Sequence, residues 1–331
     1  MAEQNRPVRN HTVNKSHLAR FARGTILQRI PLDGAGAPVP VSLNDAAVRK
    51  SFYIPEDLEG NRDYAFESWA STFEGAATAA VKTIVDEGVW PPSSEMRLAI
   101  AEWIALQDIR TPAKRAYASQ IAAVLIAQFQ SDGAVERLEE QLGRAGWDFS
   151  DGERQLLREE VESYRATEGR VSTGMHLDLI KAGMTSVVPT LVARGWVLVR
   201  FDNESLCTSD NPVGMAGEDF SHSWLSLGLS DAAFVSIAID RNAALVCPLA
   251  PGDGQLEGQP EFASAVNLAT MWNADEVLFL HPDDNPETML PPIPPRRPRP
   301  FPSPEDFKDF SEWPIETLMG FIKSARDRAN G

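Results

Sequence analysis

Two cysteines in 331 residues are too few for a disulfide framework, and Cys207 and Cys247 lack the paired spacing of a structural zinc site. Both are expected to be reduced and buried. Long apolar runs are missing as well. The longest uninterrupted one, Ile121 to Ala127, falls far short of the roughly 20 residues needed to cross a bilayer, so no membrane association is expected. The first 30 residues hold Arg6, Arg9, Lys15, Arg20, Arg23 and Arg29 but no continuous apolar block. They do not read as a secretory signal, and a cytoplasmic location is expected. Basic residues are in deficit, 31 Lys and Arg against 47 Asp and Glu, for a formal net charge of -16. Extended coating of nucleic acid needs a positive field over the phosphates and is excluded on this balance. The deficit is uneven: residues 1–30 carry six basic side chains against Glu3, a net of +5, which leaves -21 on the remainder. The basic arm is expected to be solvated or to lie across an acidic body. No Gly-rich phosphate loop, nicotinamide fingerprint, kinase signature or internal repeat occurs, which removes several enzyme classes.

What is present is the composition of a soluble globular protein, 43% hydrophobic and 24% charged. From Arg62 to about Val85, Phe66, Trp69, Ala70, Phe73, Ala76, Ala77, Ala80, Val81 and Ile84 recur at intervals of three and four, the mark of an amphipathic helix. Pro91-Pro92 separates it from a second helix, with Ser93 or Ser94 as N-cap, that ends near Arg110 because the residue before Pro112 disfavours helical geometry. Further helices are expected over 113–130, 132–143, 151–167 and 173–193. Strands are expected over 25–30 and 39–43 as a hairpin, over 196–201 and 205–208 as a second, over 233–239 and 243–247 as a third, and over 277–280.

The short connections favour antiparallel pairing. The fold class is therefore α+β, a mainly helical body packed against a small antiparallel sheet. Pro282 to Pro304 holds ten of the chain's 24 prolines. This predicts a single domain over 1–280, a proline-rich strap over 281–304 and a C-terminal helix over 305–331, its core between Pro314 and Arg328. The apolar face of that helix, with Ile315, Leu318, Met319 and Ile322, suits docking on the body, on a second copy in a homo-oligomer, or on a protein partner.

Four polar signatures interrupt this pattern. They are Asn10-His11-Thr12-Val13-Asn14, Phe73-Glu74, Gln107-Asp108-Ile109-Arg110-Thr111-Pro112, and Ser209-Asp210-Asn211-Pro212-Val213. Each puts a polar or charged side chain where burial is expected, which is costly without a partner. Met96, Ile100 and Trp103 share a helix face that continues to Gln107 and Arg110. Arg110 then needs a counter-charge, and Glu74, on the apolar face of the preceding helix, is the economical one. Asp210 follows a strand, and Asp and Asn there also build turns by themselves.

In their order, these signatures resemble a bacterial family known as domain of unknown function 4238. The similarity rests on His11, Glu74, Gln107, Arg110, Thr111, Pro112, His176, Ser209, Asp210, Asn211 and Pro212, with Phe52-Tyr53 and Cys247-Pro248-Leu249-Ala250-Pro251 in support. It covers roughly residues 8–280. It departs at Thr12-Val13-Asn14, where the family has Tyr-Val-Pro, so the backbone there is expected to differ. The resemblance implies a site and supplies no activity.

Two functions fit these residues. The first is a hydrolase acting on a phosphorylated or nucleotide-like substrate, with His11, Glu74, Asp210 and His176 as catalytic candidates and Gln107, Arg110, Ser209 and Asn211 as substrate-binding candidates. A divalent metal held by imidazoles and carboxylates would activate water, although no local ligand spacing announces one. Ser209 as a nucleophile ranks last, since the Gly-x-Ser-x-Gly elbow is absent. The second is a noncatalytic binding or regulatory protein, in which the same residues form a buried polar network.

Overall fold

The computed structural model describes residues 9–33, 37–56, 61–119, 172–217 and 228–290, with scattered positions between 136 and 159. Contacts divide the chain into two units, Met1–Lys114 with Thr173–Arg296, and Arg115–Ser172 with Arg297–Gly331. Every element named below belongs to the first. Residues 112–119 are helical, as are the scattered positions apart from Ser150. Most of the stretches expected as helices over 113–130, 132–143 and 151–167 lie outside the described residues. So do the strap beyond Leu290 and the whole C-terminal helix.

Helix packing follows the periodicity. Helix α1 is Lys15–Ala19, α2 Ala65–Val85, α3 Ser94–Ile109 and α4 Thr173–Ala193. Phe66, Ala70, Ala77, Ala80, Val81 and Ile84 form the buried face of α2. They join Ile100, Trp103 and Ile104 of α3 and Leu177, Ile180 and Leu191 of α4 in one apolar core. Burying the Val, Leu, Ile and Phe side chains among them is worth about 1.5–3 kcal/mol each relative to exposure. The Ser93 hydroxyl accepts from the Met96 amide at 3.2 Å and caps α3, satisfying one of the four orphan donors at a helix start.

The strands β1 (Arg9–His11) and β4 (Val48–Lys50) form an antiparallel pair. The strands β2 (Ile26–Pro31) and β3 (Val39–Ser42) form the expected hairpin, and they belong to a four-stranded sheet in the order β3-β2-β11-β6, where β6 is Thr208–Ser209 and β11 Val277–Leu280. A five-stranded sheet runs β10-β5-β9-β8-β7, with β5 Val197–Arg200, β7 Gly214–Ala216, β8 Phe234–Asp240, β9 Ala243–Pro248 and β10 Gly254–Glu257. Helix α5 (Pro260–Asn273) lies against β6, β7 and β8.

The architecture is α+β, but its strands fall into three sheets where one small sheet was expected. The hairpin expected from 196–201 and 205–208 does not form. One side of β5 is taken by β9, antiparallel, and the other by β10, parallel. The segment after it sends its backbone donors elsewhere: Phe201 N to Asn242 O at 2.9 Å, Leu206 N to Arg241 O at 2.7 Å, and Cys207 N to Asn267 Oδ1 at 2.9 Å. It thus reaches the other sheet, where β6 pairs with β11. The β8–β9 hairpin is as expected, with Asp240 Oδ1 accepting from Asn242 N across its turn. Where proline content predicted an extended strap from 281, Pro286–Met289 make one helical turn, α6, capped by the Asn285 side chain. Among the described residues no helix is long and apolar enough to cross a membrane.

Candidate functional site

The N-terminal signature is an extended segment clamped from both sides. Asn10 is fully buried; its Nδ2 donates to Glu67 Oε1 at 2.6 Å and its Oδ1 accepts from Tyr53 N at 3.3 Å. Two residues on, the Thr12 amide and hydroxyl both donate to Ala47 O, at 2.8 and 3.0 Å. Asn14 Oδ1 then caps α1 by accepting from the His17 amide at 2.9 Å. Asparagine stands here where the resembling family has proline, and the exchange has a use: the Asn14 amide, which proline would lack, donates to Gln107 Oε1 at 3.2 Å.

The end of α3 supplies the other half of the clamp. Arg110 Nε donates to Thr12 O at 3.1 Å, and Arg110 Nη1 pairs with Glu74 Oε1 of α2 at 2.6 Å. The arginine side chain is 3% exposed and the glutamate 23%, so the pair is screened on one side only. Tyr53 donates its hydroxyl to Arg110 O at 2.9 Å. Gln107 Nε2 and Arg110 Nη2 are left as buried donors without a partner among the described residues. Thr111 and Pro112 end the signature for a local reason. The Thr111 hydroxyl accepts from Lys114 N at 3.3 Å and caps the next helix, and proline suits the first helical position because its missing N–H is an orphan there in any case.

Glu67, in the first turn of α2, was missed in the sequence. Its half-buried carboxyl is held above its ordinary range by desolvation, partly offset by the Asn10 hydrogen bond and the Arg110 charge. His11 is half-buried beside this group, with Nε2 at 3.1 Å from Leu43 O. The structure therefore brings Glu74, Gln107 and Arg110 together through residues 10–14, with His11 at the edge.

Ser209, Asp210 and Asn211 sit in a second cluster, at the junction of α5 and β11. Both carboxylate oxygens of Asp210 are occupied: Asp275 N and Glu276 N each donate at 2.7 Å. Burial pushes this carboxyl up to about 6 against the pull of those two amides. Ser209 Oγ accepts from Asn211 N at 3.1 Å, and Asn211 Nδ2 donates to Asn273 O, near the end of α5, at 3.0 Å. Gly214 completes the motif, since a Cβ there would stand 2.7 Å from Ser236 Oγ and 3.0 Å from Ala269 Cβ. Among the described residues no hydrogen bond or ion pair joins Asp210 to Glu74, Gln107 or Arg110; its oxygens are spent at the α5–β11 junction instead. His176 is buried on α4 with its ring edge-on to Phe52 at 5.8 Å, and Phe52 in turn meets Tyr53 of the clamp at 4.9 Å.

The two clusters are bridged by His17, also missed in the sequence. It is 5% exposed, its Nε2 lies 2.8 Å from Thr208 Oγ1, and its ring meets Phe21 and Trp103, both at 5.2 Å. Burial, aided by the neighbouring Arg20 charge, lowers its pKa to about 3 and keeps it neutral. The available signal was its place inside an apolar helix face, one turn before Phe21. Among the described residues no group of three His, Cys, Asp or Glu is disposed to hold a metal ion. Cys207 and Cys247 are free and buried, their thiols pushed up to about 12 by desolvation, which leaves them without nucleophilic thiolate.

A family model described as protein of unknown function (DUF4238) matches residues 9–284, and the chain belongs to that family. No curated protein and no solved structure matches it.

Proposed function

We propose that the protein is a noncatalytic binding or regulatory protein, and that its family signatures form a buried polar network fixing the N-terminal segment against the helices. One observation carries this reading: Asp210, Gln107 and Arg110, all offered as catalytic or substrate-binding, each commit polar atoms to the protein's own backbone. Both oxygens of Asp210 accept from amides, Gln107 Oε1 accepts from Asn14, and Arg110 Nε donates to Thr12 O. A group committed in this way stabilises geometry and is not free to transfer a proton or hold a substrate oxygen. Its partner would be a small-molecule ligand. Recruitment of a protein or a second copy through the helix expected over 305–331 is a further element of the same proposal, resting on the spacing of Ile315, Leu318, Met319 and Ile322 in the sequence.

A second reading, the hydrolase, is favoured by one feature. Glu67 and Glu74 lie two turns apart on α2, half-buried, and only Glu74 is paired with arginine. Carboxyls in unlike environments are a recurrent acid–base arrangement, and His11 stands beside Glu67. With Arg110 already neutralised by Glu74, this site suits acid–base hydrolysis better than capture of a phosphate.

A panel of phosphomonoesters, phosphodiesters, nucleotides and carboxylic esters tests the choice. The binding reading expects no turnover by the wild type. Turnover that Glu67→Gln abolishes while leaving the melting temperature unchanged would overturn it in favour of the hydrolase.

A further inference from the structure

The two larger sheets end in the edge strands β3, β6, β7 and β10, and only the last is open. β6 and β7 are buried where α5 lies against them. β3 carries Pro40, which has no amide proton to offer a neighbour. In β10, Gln255, Leu256 and Glu257 are all exposed, Leu256 by 54%. The strand holds neither proline nor lysine, the usual guards of a free edge.

Pairing with β5 fixes the direction of its backbone groups. Gly254 N donates to Trp196 O at 2.9 Å and Gly258 N to Arg200 O at 2.6 Å, in a parallel register that runs from Gly254↔Val197 to Glu257↔Arg200. Amides alternate in direction along a strand, so those of Gln255 and Glu257, with their carbonyls, point away from the sheet. Side chains alternate too. Gln255 and Glu257 share one face and Leu256 takes the other.

This pattern is its own complement. When two copies of β10 run antiparallel about a two-fold axis at Leu256, Gln255 of each lies opposite Glu257 of the other, and their outward amides and carbonyls exchange hydrogen bonds. On one face, the Gln255 side-chain amide then meets the Glu257 carboxylate, a donor against an acceptor, on each side of the axis. On the other face the two Leu256 side chains cover each other, their Cα atoms about 4.5 Å apart. A neighbour of arbitrary sequence would satisfy only the backbone. A second copy in this register satisfies all three side chains as well.

We infer that β10 is a self-association edge, through which two copies of this chain join their five-stranded sheets into one. The contact is short and each copy carries a formal charge of -16, so the dimer is weak and salt strengthens it. The inference holds whether the buried network serves binding or hydrolysis, and it uses residues other than the helix expected over 305–331.

Sedimentation equilibrium of the full chain tests it. The wild type should show a monomer–dimer equilibrium with a Kd on the order of 10–100 µM at about 0.15 M salt, tightening at about 0.5 M salt. Leu256→Lys and Leu256→Glu should each weaken it at least about tenfold, because each sets like charges face to face. An equimolar mixture of the two variants should associate again, since opposite charges then meet at the axis. Gln255→Pro, which removes an outward donor, should weaken the dimer too, and at so exposed a strand all three variants should keep the circular dichroism of the wild type. A wild type that stays monomeric up to about 500 µM would overturn the inference without any variant. So would a dimer that the variants leave intact, which would place the contact elsewhere, or Leu256 variants that fail to associate on mixing.

Discussion

The two signature clusters bury titratable groups of opposite kind, and acid should therefore pull them in opposite directions. In the N-terminal clamp, His17 is held neutral with its pKa lowered to about 3. At the α5–β11 junction, Asp210 is raised to about 6. For the histidine, the stabilising contribution is complete above its unfolded value of 6.5 and is lost as pH falls toward 3, because the unfolded chain takes up the proton first. For the aspartate, the contribution is complete below the unfolded 3.8 and is lost as pH rises through 6. Similar burial thus yields an acid-sensitive clamp and an acid-tolerant junction. The sign is set by whether the neutral form is the base or the acid.

The largest expected effect sharpens this contrast. Between pH 6.5 and 3 the His17 shift corresponds to about 4–5 kcal/mol of stability at one pKa unit per 1.36 kcal/mol. Urea unfolding of the wild type and of His17→Phe across that range should show the variant losing less stability on acidification. Parallel pH profiles would break the comparison at its stronger end.

Removing the charge that ties the clamp together comes next. Arg110→Met should cost about 3 kcal/mol, since it leaves Glu74 half-buried without its cation and Thr12 O without its donor. Glu74→Gln should cost nearer 1 kcal/mol, because the glutamate side is open to water. Chemical denaturation of both variants checks the order, and equal costs would mean that the Thr12 contact contributes nothing.

The junction should respond with the other sign. Relative to Asp210→Asn, the wild type should gain about 2–3 kcal/mol between pH 7 and pH 4. A difference that shrinks over that interval would show the two amide donations outweighing burial.

Why the clamp was partly legible in the sequence and the junction was not follows from their partners. Gln107 and Arg110 extend the stripe Met96, Ile100, Trp103 at helical spacing, and Glu74 interrupts the apolar face of the neighbouring helix, so their pairing could be read from periodicity. Ser93 was legible as a cap for the same local reason. Asp210, by contrast, binds the backbone amides of Asp275 and Glu276, more than 60 residues away, and an amide donor leaves no trace in residue identity. His17 and Glu67 escaped because each looks ordinary in its own helix and gains meaning only from Thr208 and Asn10 across the fold. The expected hairpin at 196–208 was lost to a competition among strands: β9 and β10 occupy both sides of β5, and loop length alone carries no information on that.

The central claim is that the signature residues hold residues 12–14 in place. Hydrogen exchange at the Asn14 amide measures this most directly, because that amide donates to Gln107 Oε1. In Gln107→Leu, which keeps the bulk and removes the acceptor, exchange at Asn14 should accelerate by about tenfold or more, corresponding to about 1.4 kcal/mol of lost local protection. Exchange at Asn14 as slow as in the wild type would contradict the claim.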